Sequence, residues 1–93
     1  MKTTATSHEW SYDQPKLKKG IYRHYKNKKL YEVQNVARHT ETEEWVVIYK
    51  PLYKSDFADL DVRPYEMFFE KVKDPETGKL VPRFAYVRSK YRN

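Results

Sequence analysis

The sequence predicts a small, mainly β domain with one short helix, and three observations carry that expectation. The chain has 93 residues, enough for a single domain with a thin core, which argues against a deep catalytic cleft. Short runs rich in Val, Ile and Tyr are separated by turn-forming clusters. Only one stretch carries a helical period.

Residues 1–15 hold Thr, Ser, Asp and Gln without periodicity and close on Pro15, so they read as a flexible lead-in that Trp10 or Tyr12 could pin. The domain is expected over 16–88, with a basic tail at 89–93. Ile21 to Tyr25 and Leu30 to Arg38 read as strands joined at Lys26-Asn27-Lys28-Lys29, where Asn27 is best suited to a positive φ. Tyr31 and Val33 share one phase and Val36 and Arg38 the other, which predicts a bulge near Asn35, the bend that curls a short sheet into a barrel. Glu44 to Lys50 reads as a strand, and over Glu44 to Tyr49 neither face is polar, as in a central strand covered on both sides. After Pro64, residues Tyr65, Phe68, Phe69 and Val72 recur at i, i+3, i+4 and i+7. That spacing predicts one or two helical turns over Pro64 to Lys71, with Pro64 at the first helical position. Asp74-Pro75-Glu76-Thr77-Gly78-Lys79 is a second turn, with Gly78 free to go left-handed, and Leu80 to Val87 is the closing strand.

Nineteen basic against thirteen acidic residues give a net charge of +6, which points to nucleic acid, small anions or acidic protein surfaces as partners. Without cysteine there is no disulfide, thiolate metal site or cysteine nucleophile. No run of about 18 apolar residues could span a bilayer, and MKTTATSHEW lacks a signal-peptide core. The expected location is therefore the cytoplasm, with no membrane partner. Lys16 to Lys29 and Lys79 to Asn93 hold twelve of the nineteen basic residues and no acid, so neighbouring terminal strands would make one basic face. Tyr22, Tyr25, Phe84, Tyr86 and Tyr91 interleave with it, the combination of stacking and phosphate neutralisation that single-stranded nucleic acid uses. Lys18, Lys19, Lys28, Lys29 and Arg88 are the expected phosphate contacts. A solvated lysine-rich surface over core tyrosines is the competing reading.

Gly20-x-Tyr22-Arg23-His24-Tyr25-Lys26, Tyr31-x-Val33, Ala37-Arg38-His39-Thr40-Glu41-Thr42-x-Glu44, Leu52-Tyr53, Val62-Arg63-Pro64-x-x-Met67-Phe68 and Pro82-Arg83-Phe84 follow one another in an order that resembles the bacterial domain of unknown function sixteen fifty-three. The resemblance runs from about Gly20 to Phe84. It implies an SH3-like small β-barrel without an established activity. Asn27 and Lys54 stand where that family tends to have glycine, and Asp61 where a tryptophan commonly precedes Val-Arg-Pro, which alters any platform that ring provides.

In an extended segment His39, Glu41 and Glu43 would share one side, and with His24 they could hold a divalent metal or supply a general base and acid. Alternatively, His39 and the threonines satisfy backbone groups in a tight loop, and Glu41 or Glu43 pairs with Arg23, Arg38 or Arg63. Arg23, Arg63 and Arg83 are flanked by apolar residues. They either meet carboxylates and carbonyls or converge on an anion, with Tyr53 and Trp45 as an aromatic wall, although the Trp45 ring is expected in the core.

These features favour a non-catalytic module that captures an anionic ligand, nucleic acid first, and no cofactor is called for. The alternatives are a small metal-dependent or acid-base site at His24, His39, Glu41 and Glu43, and a protein-interaction module using Asp56, Asp59, Asp61 and the Tyr65 helix.

Overall fold

A computed structural model describes residues 14–90; Trp10, Tyr12 and Tyr91, with most of the expected lead-in and the end of the tail, lie outside the described residues. The fold is mainly β, as expected. Strands β1 (Gly20–His24), β2 (Leu30–Arg38), β3 (Trp45–Pro51), β4 (Asp61–Pro64) and β7 (Phe84–Arg88) form one antiparallel sheet in the order β4-β3-β2-β1-β7. Helix α1 (Tyr65–Phe68) follows β4, and β5 (Lys71–Lys73) pairs with β6 (Leu80–Pro82) as a separate hairpin. The SH3-like barrel has an open seam, since β4 and β7 each have one ladder neighbour. The register shifts between Val33 and Asn35, where the sequence asks for a bulge, and again between Ile21 and Tyr22. Such bulges bend a sheet.

Tyr22, Tyr31, Val33, Val47, Tyr49, Phe68 and Phe84 make the core. Their rings meet mostly edge to face, while Phe68 stacks flat on Phe84 at 4.1 Å. Phe68 thereby touches rings of β1, β3 and β7, so α1 lies across the concave side. The helix is shorter than its period suggests. Pro64 is its N-cap, and Val72 sits in β5 opposite Val81. The Arg83 amide bonds to the Glu70 carbonyl and the Arg83 Nε to the Met67 carbonyl, which draws the chain out of the helix after Phe69. The same residue divides the expected closing strand into β6 and β7. At Gly20 (φ +149°) a Cβ would lie 2.6 Å from the Arg88 carbonyl oxygen, so the close β1–β7 approach requires glycine.

Three hairpins share one construction. In His24–Lys29, His39–Glu44 and Asp74–Lys79 the first residue's amide donates to the sixth residue's carbonyl, and the fifth residue's amide donates back to the first residue's carbonyl. The fifth residue is left-handed in each: Lys28 (φ 62°), Glu43 (φ 66°) and Gly78 (φ 75°). The first side chain accepts the third residue's amide, through His24 Nδ1, His39 Nδ1 and Asp74 Oδ1. The fourth side chain accepts the sixth residue's amide, through Asn27, Thr42 and Thr77. Positive φ therefore falls on Lys28 rather than Asn27, whose carboxamide oxygen is occupied as this cap.

Candidate functional site

The ladder decides which predicted residues can meet. Tyr22 pairs with Tyr31 and Tyr86, His24 with Phe84, Val33 and Asp61 with Tyr49, and Arg63 with Val47. Residues two apart share a face, so His24, Tyr31, Tyr49, Asp61, Arg63 and Phe84 all face the concave side. At the end closed by the His24 hairpin they form a cluster of rings and polar tips.

Arg63 is its central cation. Its Nε donates to the Tyr49 hydroxyl at 3.3 Å, and its guanidinium stands 5.8 Å over the Phe84 ring, bridging the open seam between β4 and β7. The group is half-buried, and among the described residues no carboxylate pairs with it. Beside it, the hydroxyls of Tyr31 and Tyr53 lie 2.7 Å apart, Asn27 Nδ2 donates to the Tyr31 hydroxyl, and Lys29 Nζ sits 4.4 Å over the Tyr53 ring. The hydrogen bond with Tyr31, followed by burial and the charges of Tyr31, Asp61 and Tyr49, pushes the Tyr53 phenol up to about 12. It stays protonated near neutral pH.

His24 packs on Phe84, with ring centroids 4.8 Å apart. Burial lowers its pKa first, and the cations Arg63, Arg83 and Lys26 lower it further. Its Nδ1 accepts the amides of Lys26 and Asn27, so the neutral ring carries its proton on Nε2. The cluster therefore offers N–H and O–H donors and one guanidinium, beside the carboxylate of Asp61, and its donors are suited to holding an anion.

The other expected site residues are distributed elsewhere. His39 follows the far end of β2, about 26 Å from its start at some 3.3 Å per residue. His39, Glu41 and Glu43 lie in a tight turn rather than an extended segment, and the first part of the competing reading holds: His39 and Thr42 cap backbone amides. The four-residue His24, His39, Glu41 and Glu43 constellation is thus not formed, and among the described residues no three His, Asp or Glu side chains gather as metal ligands. The three arginines do not converge either. Arg83 is engaged by the Met67 carbonyl and, at 2.9 Å, by Glu70. Arg23 is exposed on the outer side of β1, in a depression whose lining also includes His24, Tyr25, Lys28 and Asp74. Tyr53 stands at the cluster, but Trp45 opens β3 at the opposite end, outside the core.

Because β1 and β7 are neighbours, the two basic stretches do adjoin. Lys18, whose Nζ is 4.0 Å over the Tyr86 ring, lies with Lys19 and Arg88 at one end of β1, and Lys28 and Lys29 lie at the other. Asp56 and Asp59 are exposed in the β3–β4 loop around Phe57, which is 94% exposed. Tyr31 and Tyr49 escaped the sequence reading as site residues, because their hydroxyls reach the cluster while their rings are core.

The model of a protein family of unknown function, DUF1653, matches residues 20–86. This chain belongs to that family. A crystal structure of a DUF1653 protein from Bordetella bronchiseptica is similar to it, with 35% identity, coverage of 83% of this chain and 95% of that one, and a TM-score of 0.72. No curated protein matches the chain. Among the described residues of this DUF1653 member, no helix is long and apolar enough to cross a membrane.

Proposed function

We propose that this DUF1653 domain is a non-catalytic binding module that captures an anionic group at the Arg63 cluster, with single-stranded nucleic acid as the first ligand class. The observation that carries the reading is Arg63 itself, a half-buried guanidinium held in place by Tyr49 and Phe84 without a carboxylate partner among the described residues. Taking a cation out of water costs free energy, and a bound phosphate offsets it through charge-assisted bonds. Neutral His24 supplies an Nε2 donor. Lys26, Lys28 and Lys29 add positive charge at the rim, and Arg23, Lys18, Lys19 and Arg88 extend it along β1 and β7. Tyr53 and Tyr86, each already beneath a lysine, are rings on which bases can stack.

Titration of the labelled full chain with a short oligothymidylate across a salt series tests this. Affinity should fall with a log-log slope of about −0.7 per phosphate neutralised, and a flat response rejects the proposal. Arg63→Gln should weaken binding at every salt concentration, while Lys28→Gln and Lys29→Gln should each reduce the slope. A second reading, a protein-interaction module, rests on Phe57 projecting between Asp56 and Asp59. Binding lost in Phe57→Ser but kept in Arg63→Gln would favour it.

A further inference from the structure

At the end of the sheet that holds Trp45, a cleft of about 400 Å³ opens between Pro15, the start of β3 and the β4–α1 junction. Its walls are Trp45, Tyr65, Pro15 and Pro64, and its charged lining residues are Glu44 and Glu66. Tyr65 is fixed there on two sides. Its hydroxyl donates to the Lys16 carbonyl at 2.8 Å, and its ring packs on Phe69 at 4.8 Å. Among the described residues Glu66, which is exposed, has no ion pair, and the Glu44 carboxylate accepts only the Thr42 hydroxyl, at 3.3 Å. The cations beside the cleft are Arg38, paired with Trp45 across the ladder, Lys16, which follows Pro15, and Arg63, which precedes Pro64. The side chain of none of them lines it.

We propose that this cleft binds a methylated ammonium group. Tryptophan and tyrosine rings attract a cation through their π faces, and two carboxylates add charge of the matching sign. Apolar walls of proline and ring carbon pack against methyl groups, whereas a primary ammonium must give up hydrogen bonds to water that only Glu44 and Glu66 are there to replace. The cleft accommodates such a group whether it belongs to a small quaternary ammonium compound or to a methylated lysine side chain. It shares no lining side chain with the Arg63 cluster, which has the opposite charge preference, although Pro64 follows Arg63 in the chain.

The test is a titration of the ¹⁵N-labelled full chain, at constant ionic strength, with tetramethylammonium, N-acetyl-trimethyllysine amide and N-acetyl-lysine amide. The readout is the Trp45 indole N–H resonance, identified with Trp10→Phe because the chain has two tryptophans. A saturable Trp45 shift is expected, with the trimethylated lysine about tenfold tighter than the unmethylated one. Saturation by tetramethylammonium as well assigns the site to small quaternary ammonium compounds, and saturation by trimethyllysine alone assigns it to a modified protein. Glu66→Gln and Tyr65→Leu should weaken binding, and Tyr65→Phe should retain it. Absence of a saturable shift with every probe overturns the proposal. So does equal affinity for lysine and trimethyllysine, or full affinity in a Glu44→Gln, Glu66→Gln double variant.

Discussion

The His24–Lys29 and His39–Glu44 hairpins close opposite ends of β2 with the same hydrogen bonds, yet one carries Lys26, Lys28 and Lys29 and the other Glu41, Glu43 and Glu44. The backbone is set by the first, fourth and fifth positions: a side-chain acceptor, a second acceptor and a left-handed residue. Of the remaining positions, Tyr25 is half-buried and the others are exposed and free to carry charge of either sign. Environment then separates two chemically identical caps. His24 packs against Phe84 and Tyr25 and feels the charges of Arg63 and Arg83, whereas His39 is exposed. One device thus supports a donor-rich, cationic end and an acidic end that adjoins the Trp45 cleft.

Both ends stand on one core, so the largest effect should come from removing the support they share. Phe68 is fully buried and stacked on Phe84. Phe68→Ala should cost about 3–5 kcal/mol in a denaturant melt. The native-state fraction that persists should lose dispersion at the Arg63 cluster and the Trp45 cleft together. Loss at one end alone would show that the ends are separately supported.

Much of this arrangement was legible in the sequence because it is local. Asp74-Pro75-Glu76-Thr77-Gly78-Lys79 and the alternation of Tyr31 and Val33 carry their geometry within six residues. The strands β4 and β5 were not, since Asp61-Val62-Arg63-Pro64 is short and ends in proline, and Lys71-Val72-Lys73 fits a helical period as well as a ladder. The Arg63 cluster combines β1, β2, β3, β4 and β7, and its membership follows from register. His24 and His39 look equivalent in composition, and only the fold puts the length of β2 between them.

The next effect separates the two histidines. Asparagine can accept a turn amide much as Asp74 does, so His39→Asn should change stability by less than about 0.5 kcal/mol. His24→Asn keeps the cap but loses the ring on Phe84, and should cost about 1–2 kcal/mol. Equal costs would refute the asymmetry. The pH dependence adds a second criterion. Because the His24 pKa in the fold lies below the ordinary 6.5, unfolding takes up a proton as pH falls. Its contribution to stability is complete above 6.5 and is lost as pH drops from there through the folded value. Denaturant melts at about pH 7.5 and about pH 5.5 should show this loss in the wild type and a smaller one in His24→Asn.

The finest test concerns the claim that the two hairpins share one backbone device. Lys28 and Glu43 hold φ values that disfavour a Cβ, and the third hairpin has glycine at the same position. Lys28→Gly and Glu43→Gly should therefore each stabilise the protein, by up to about 1 kcal/mol, since relief of left-handed strain outweighs the added freedom of the unfolded chain. The substitutions remove opposite charges from a chain of net charge +6, so a global electrostatic effect would give them opposite signs. Equal gains at low and at high salt are expected. Gains of opposite sign that vanish in salt would mean that charge, rather than the left-handed residue, governs these turns.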